Sequence, residues 1–136
     1  MAQAALLYGW TGAANIRLSV LWGYTDRYEE HEESMGPGVG NWDLTFSAVP
    51  AGEVWVVTSF AAYASTDGPD RIRVVAHCGS DGIVLRQRAY SVAWDTVEMP
   101  GQVVLEAGDY LIATFDGCLI GDNLYANANG YKMSVA

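Results

Sequence analysis

Basic residues are scarce in this chain, which has 7 Lys and Arg against 16 Asp and Glu in 136 residues and a formal net charge of -9. Because phosphate neutralisation needs Lys and Arg, this balance argues against general nucleic-acid binding. No apolar run approaches the roughly 18 residues of a membrane helix. Residues 1–7 lack the basic region and the apolar length of a signal peptide. We therefore expect a soluble protein made in the cytoplasm, whose acidic surface suits a partner with basic patches.

Cysteine and histidine are also rare. Cys78 and Cys118 form neither a zinc spacing nor a CxxC pair. Buried free thiols are favoured for them, and a disulfide between them stays open. His31 and His77 are the only histidines, and no GxSxG motif accompanies them. His77 and Cys78 adjoin in a predicted strand, where neighbouring side chains point to opposite faces, which disfavours a catalytic dyad. The sequence therefore predicts that the protein is not an enzyme.

The carboxylates do not form a recognisable metal or catalytic motif. Nearly all lie in predicted turns or on charged faces, whereas paired-carboxylate catalysis needs one acid in an apolar pocket. Asp67 with Asp70, and Asp116 with Asp122, could contribute to a calcium site, but the spacing of an EF-hand is absent. We predict no metal site and no cofactor.

What the chain does contain is a repeated corner. Residues 49–58 (VPAGEVWVVT) recur with substitutions as residues 105–114 (LEAGDYLIAT). Each is an apolar strand end, an Ala-Gly-acid turn and a longer apolar strand, in which the glycine permits backbone angles that other residues resist. A final hairpin-like pair is expected at residues 124–128 and 131–135. With 15 glycines and 12% aromatic residues, eight to ten short strands predict an all-β, jelly-roll-like antiparallel β-sandwich whose two corners are equivalent parts of two Greek-key halves.

The sequence predicts a single domain with two irregular segments. Residues 1–15 are small and apolar and are interpreted as an N-terminal arm, followed by a β-sandwich domain over residues 16–136. Residues 16–22 alternate well enough for a first strand. Residues 26–41 are acidic and then Gly-rich, and are interpreted as a long loop, a kind of segment that is commonly functional.

A hairpin of residues 71–78 and 83–90 is expected to carry a basic face. With Cys78 opposite Ile83, Arg73 lies opposite Arg88. One face then holds four of the basic residues: Arg71, Arg73, Arg86 and Arg88. Like charges directly opposite destabilise a strand pair by up to ~1 kcal/mol, so something is expected to offset them.

Three explanations remain open for how the repulsion between these arginines is offset. Local carboxylates such as Asp67, Asp70 or Glu98 could neutralise it. It could dock an acidic surface of another subunit or partner, or it could bind an anionic ligand, since guanidinium groups bind carboxylates and phosphates bidentately.

The segment whose charge is complementary to the basic face is the acidic run of residues 29–33. Its carboxylates are Glu29, Glu30, Glu32 and Glu33. They are either a solvated loop or the surface that pairs with the basic face of a neighbouring copy, which would build a closed ring.

The simplest interpretation of the aromatic residues is that they lie in the core or at a subunit interface. Trp10, Tyr24, Tyr28 and Trp42 flank irregular segments and are the better surface candidates. Trp10 is included among the expected partner contacts. The alternative function is a carbohydrate- or receptor-binding module, in which these four aromatics would form a sugar-stacking platform.

The doubled corner, together with the ending from Asp116-Gly117-Cys118 through residues 121–124 to Gly130-Tyr131, resembles small jelly-roll virion proteins of tailed bacteriophages. The resemblance covers roughly residues 42–136. It implies a capsid decoration or stabilisation protein located on the virion, often trimeric. The alternative, a carbohydrate- or receptor-binding module, would then belong to a tail or fibre. Its expected partners are the major capsid protein or other virion proteins, with no role for nucleic acid or membrane.

Overall fold

The computed structural model describes residues 24–66 and 68–134 of the chain. These two ranges contain no helix, and hence none that is long and apolar enough to cross a membrane. They form nine strands: β1 (Tyr24–Met35), β2 (Gly40–Thr45), β3 (Glu53–Ala64), β4 (Arg71–Cys78), β5 (Asp81–Ala89), β6 (Val97–Glu98), β7 (Val103–Leu105), β8 (Tyr110–Cys118) and β9 (Asn123–Ser134).

The strands form two antiparallel sheets packed face to face. The first sheet has the order β1-β9-β3-β6, with β7 also paired to β3, and the second has the order β2-β8-β4-β5. β6 and β7 follow each other along the same edge of β3, so together they occupy one strand position. With that position counted once, the order is that of an eight-stranded jelly roll. The predicted all-β jelly-roll sandwich is confirmed.

The core lies between the sheets and follows the period of two along each strand. On β8, Leu111, Ala113 and Phe115 are fully buried, whereas the residues between them are partly exposed. Phe60 of β3 is fully buried and meets Phe46 edge to face, with ring centroids 5.3 Å apart. Each such aromatic contributes roughly 1.5–3 kcal/mol by burial.

The two repeated corners lie side by side at one end of the sandwich, which we call the corner end. The backbone N–H of Val49 donates to the carbonyl of Asp109 at 2.9 Å, and that of Gly108 donates to the carbonyl of Val49 at 2.8 Å. Gly52 and Gly108 have φ of 83° and 90°, angles that favour glycine. The repeat therefore marks the two connections at this end that cross between the sheets, β2–β3 and β7–β8, and these two connections hydrogen-bond to each other.

The opposite end of the sandwich, called here the loop end, holds the connections β1–β2, β3–β4, β5–β6 and β8–β9. The antiparallel registers place them together, because β1, β3, β5 and β8 all run toward that end. The β1–β2 and β8–β9 turns are joined directly: the N–H of Gly36 donates to the Asp122 carbonyl at 3.1 Å and to Asn123 Oδ1 at 2.9 Å.

The predicted loop over residues 26–41 is wrong. Tyr24–Met35 is a twelve-residue strand paired along its length with β9, and the connection to β2 is confined to residues 36–39. A run of charged side chains is compatible with a strand here because β1 is at the edge of its sheet, where charges discourage pairing with other chains. The expected arm over residues 1–15 and the strand over residues 16–22 lie outside the described residues.

The expected final hairpin is also wrong, since β9 runs unbroken from Asn123 to Ser134. Gly130 does not turn the chain. A Cβ at this position would strike the Val56 carbonyl of the neighbouring β3, so glycine is present here because the two backbones approach closely.

Candidate interaction surfaces

The acidic run divides between the two faces of β1. Glu29 and Glu33 lie on the outer face of the first sheet with His31, opposite Asn129 and Tyr125 of β9. Arg27 pairs with Glu29 at 3.4 Å, and His31 pairs with Glu33 at 3.4 Å. The period of two therefore breaks the predicted acidic patch into alternating positions.

Glu30 and Glu32 lie on the other face of β1, with the buried side chain of Tyr28. Glu30 accepts hydrogen bonds from the backbone N–H and the hydroxyl of Ser47, both at 2.9 Å, and from the Tyr28 hydroxyl at 3.1 Å. Partial desolvation and the neighbouring Glu30 raise the pKa of Glu32. Glu30 thus ties β1 to the segment that follows β2, a structural role that the sequence did not indicate.

The predicted basic face is also divided. The hairpin register places Cys78 opposite Asp81 instead of Ile83, and a β-bulge interrupts β5 opposite Val74 and Val75. A bulge adds one unpaired residue to its strand and so exchanges the faces of the side chains beyond it. In consequence Arg73 lies opposite Gln87, and Arg88 lies opposite the buried Ile72. Arg71 and Arg73 share the outer face of the second sheet, whereas Arg86 and Arg88 project from the opposite side of edge strand β5.

Asp116 of β8 neutralises the outer pair of arginines. Its Oδ2 accepts from Arg71 Nε at 2.8 Å and Nη2 at 2.5 Å, and its Oδ1 accepts from Arg73 Nη2 at 3.2 Å. Of the three explanations that the sequence left open, neutralisation by a local carboxylate holds for this pair of arginines, and the carboxylate is Asp116 instead of the suggested Asp67, Asp70 or Glu98. Arg71 and Arg73 are therefore already paired within the chain.

Arg88 and Arg86 behave differently from each other. Arg88 Nη2 donates to Asp95 Oδ2 at 3.3 Å, which fixes the β5–β6 connection. Arg86 is exposed and has no ion pair within the described residues. The role of these arginines in contacts between subunits stays a prediction.

Tyr28 and Trp42, the two aromatic surface candidates whose side chains the structure describes, do not share a platform. Tyr28 is buried against Trp55, with ring centroids 4.6 Å apart, and burial raises the pKa of its hydroxyl. Trp42 lies on β2 in the other sheet and donates from Nε1 to the Gly38 carbonyl at 3.1 Å. Trp10 and the side chain of Tyr24 lie outside the described part of the chain.

Two surfaces that the sequence analysis missed stand out instead. The first is aliphatic and lies at the loop end. Ile120 is 85% exposed, and Leu119, Val39 and Met35 are each more than half exposed. Val39 lies in the β1–β2 turn, Leu119 and Ile120 lie in the β8–β9 turn, and Met35 is the last residue of β1. The Gly36 hydrogen bonds hold the two turns together. The sequence contains a signal for this surface, because the two consecutive aliphatic residues Leu119 and Ile120 stand directly before a glycine in a predicted turn.

The second missed surface is an aromatic cluster on the outer face of the first sheet. The ring centroid of Tyr125 lies 5.2 Å from that of Tyr63 and 5.8 Å from that of Trp94, and the last two are 5.9 Å apart. The His31 ring is stacked at 6.4 Å from Tyr125. Tyr63 and Tyr125 are directly paired across β3 and β9, so strand register brings them together.

Within residues 24–66 and 68–134, no group of three or more His, Cys, Asp or Glu side chains is placed to hold a metal ion. Asp122 is buried, contacts the Thr66 hydroxyl and accepts from the Leu119 N–H at 2.7 Å. Cys78 and Cys118 are both free thiols. Burial raises the pKa of Cys118 to about 11.

The strand order and packing define a jelly-roll protein. No protein-family model matches the chain, and no curated protein is significantly similar to it. Solved structures do share the fold. A chain from the acidic stable capsid structure of Helicobacter pylori bacteriophage KHP30 aligns at a TM-score of 0.56 and 10% identity, covering 79% of this chain and 89% of that one.

The vertex protein P5 of PRD1 aligns at a TM-score of 0.52 and 12% identity, covering 79% of this chain and 98% of that one. A third chain, the GH26-CBM35 mannanase of Podospora anserina, aligns at a TM-score of 0.45 and 15% identity, covering 78% of this chain but 28% of the enzyme. That similarity is too low to bear on function. The first two show that jelly rolls of nearly the same extent occur in phage particles.

Proposed function

We propose that this chain is a non-enzymatic structural protein of a phage particle, of the capsid decoration or stabilisation type, and that it assembles as a homo-oligomer, most simply a trimer. The proposal is supported by the shared fold with a KHP30 capsid chain and with the PRD1 vertex protein. It places the protein on the virion, in contact with the major capsid protein or another virion protein.

The observation that carries the proposal is the aliphatic surface at the loop end. Large aliphatic side chains that protrude from tight turns expose apolar area to water without any packing inside the chain, and contiguous exposed apolar area marks a protein contact. Ile120 and Leu119 lie in one turn, and Val39 lies in the adjacent turn, to which the first is hydrogen-bonded. Aliphatic groups of this kind fit into an apolar depression on a partner protein.

The charge of the chain adds a property of that partner. A net charge of -9 favours approach to a basic surface and disfavours self-association through acidic faces. A capsid shell presents many copies of the same partner surface, so contacts that are individually weak gain strength when an oligomer engages several of them.

The test is incorporation of surface variants into particles. We expect Ile120→Asp to fold normally, because the side chain is exposed, and to be lost from purified particles. The control is Val104→Asp, which places the same charge on a half-exposed valine of β7 toward the corner end, and which should be incorporated like the wild type. Thermal unfolding of each variant confirms that the fold is retained.

Two results would contradict the proposal. One is equal incorporation of the Ile120 and Val104 variants. The other is a copy number of a dozen or fewer per particle by quantitative mass spectrometry, which points to a tail or connector position, whereas head decoration requires hundreds.

A further inference from the structure

The outer face of the first sheet carries a row of polar and aromatic side chains that packing of the core does not require. Along β9, leucine and alanine point inward while polar or aromatic side chains point outward. The outward residues of the first half of β9 are Asn123, Tyr125, Asn127 and Asn129. Strand β9 is central in its sheet, so this row of amides and one phenol runs along the middle of the outer face.

The aromatic cluster of Tyr63, Trp94 and Tyr125 borders this row at the loop end. Tyr63 and Tyr125 are nearly parallel, with an interplanar angle of 19°, and Trp94 is inclined by 22° to Tyr125. Trp94 is nevertheless 59% exposed. Trp94 is tilted by 38° to Tyr63, so Tyr125 is the ring on which both others stack. A compact group of rings with one indole open to solvent offers flat apolar area beside hydrogen-bonding groups.

Trp94 is held in this exposed position at a conformational cost. Its φ of 65° is the sole positive value among the non-glycine residues of the described ranges, and such a backbone costs roughly 1–3 kcal/mol. The Trp94 N–H donates to the Ala64 carbonyl at 2.8 Å, and the next residue, Asp95, is fixed by Arg88. Strained residues of this kind concentrate at ligand-binding positions.

The polar groups beside the rings have a defined chemistry. Asn127 Oδ1 contacts His31 Nδ1, and His31 Nε2 lies 3.4 Å from Glu33 Oε2. The amide group of Asn127 and the carboxylate of Glu33 can each bond to neighbouring hydroxyl groups. Glu33 lies beside Tyr125, and Glu98 continues the row of Asn127 across β3. Arg88, the arginine nearest Trp94, is already paired with Asp95, so the charge that borders the cluster is net negative.

We infer that this face binds a neutral oligosaccharide. A pyranose ring presents flat patches of C–H groups that pack on Trp94 and Tyr125, and equatorial hydroxyl groups that hydrogen-bond to Asn127, His31 and Glu33. The bordering carboxylates disfavour sulfated or sialylated sugars by like-charge repulsion. The site is distinct from the aliphatic surface at the loop end, and it uses none of the four aromatics that the sequence suggested.

Self-association through this face is disfavoured by the same charges. A two-fold symmetric contact places a patch against its own copy. Glu33 and Glu98 would then meet the carboxylates of a second copy across the interface, and His31 and Arg88, which already pair with Glu33 and Asp95 within their own chain, would offset this repulsion only in part. A neutral sugar carries no such penalty.

The experiment uses the full chain on a glycan array with neutral, sialylated and sulfated arms, followed by calorimetric titration with the best neutral oligosaccharide. We expect Trp94→Ala and Tyr125→Ala each to weaken binding by about tenfold or more. Trp42→Ala is the matched control, because it removes a part-exposed tryptophan from the other sheet, and it should retain wild-type affinity. Trp94→Phe keeps an aromatic ring and should retain most of the affinity.

Retained binding in Ile120→Asp, together with retained particle incorporation in Trp94→Ala, would separate this site from the proposed virion contact. The inference is overturned if no neutral oligosaccharide binds at millimolar concentration. It is equally overturned if the anionic arms bind best, or if Trp94→Ala and Tyr125→Ala bind like the wild type. A change in oligomeric state of folded Trp94→Ala, without any sugar binding by the wild type, would assign the face to a second copy instead.

Discussion

Replacing Asp116 by Asn tests whether the two outer arginines belong to the scaffold of this protein. The Asp116 side chain is 14% exposed and accepts from both Arg71 and Arg73, which are 44% and 30% exposed. Asparagine keeps the shape but removes the charge. The Nε of Arg73 is already buried without a hydrogen-bond partner in the described residues, so the loss of its counter-charge cannot be offset locally.

The expected cost is about 2 kcal/mol of unfolding free energy. A charge-assisted hydrogen bond to a mostly buried partner contributes roughly 1.5–3 kcal/mol. The Arg71 pair is discounted to about 0.5 kcal/mol, because that guanidinium is well solvated. The Arg73 pair supplies the remainder. For a chain of this size the melting temperature should fall by about 7 °C.

Urea denaturation of the full chain measures this difference, with the slope m unchanged between wild type and variant. The control is Asp81→Asn, which removes one negative charge from an exposed position on β5 and should be nearly neutral. A cost for Asp116→Asn within 0.5 kcal/mol of that control would refute the reasoning and would return Arg71 and Arg73 to the set of free partner contacts.

Three further predictions follow from single contacts. Gly130→Ala should destabilise the fold by about 3 kcal/mol through overlap with the backbone of β3, whereas Gly82→Ala, which meets ordinary contact distances, should be nearly neutral in the same urea titration; equal costs would exclude the overlap. The pKa of His31 is raised by its hydrogen bond to Asn127 and by Glu33, so its stabilising contribution should be present at low pH and lost as pH rises through the folded-state pKa. An NMR titration in which Asn127→Ala leaves that pKa unchanged would contradict this cause. Cys118 should react with a thiol reagent far more slowly than the half-buried Cys78 at pH 8, because Cys118 is buried and its pKa is raised to about 11; faster labelling of Cys118 would show that the segment around it opens.

The sequence was sufficient to predict the architecture, because the relevant signals are local. The repeat of residues 49–58 at 105–114 marks the two crossings between the sheets at the corner end, and the alternation along β3, β4 and β8 identifies their buried faces. The charged stretch of β1 was not recognisable, because its strand character depends on pairing with β9, which is distant in the chain. Gly130 was misinterpreted for the same reason, since the close approach of β3 has no local signature.

The candidate sites were predicted less well, because they depend on register. One bulge in the β4–β5 hairpin was enough to move Arg86 and Arg88 to the face opposite Arg71 and Arg73. The aromatic cluster combines residues from β3, β9 and a connection, which only the assembled sheet brings together. The alternation of asparagine and tyrosine with alanine along β9 was visible in the sequence and could have indicated a polar outer face.

The hydrogen-bonded corners have a consequence for folding kinetics. Val49 meets Gly108 and Asp109 only when the long stretch of chain between them has been gathered, so closure of this contact carries a large loss of loop entropy. Folds dominated by such non-local pairings fold on the millisecond-to-second scale. We expect refolding in stopped-flow experiments to be slow, and a corner variant such as Gly108→Ala to affect mainly the folding arm of the chevron if the two crossings meet in the transition state. The same short repeat that reveals the architecture would then also set the rate at which the sandwich closes.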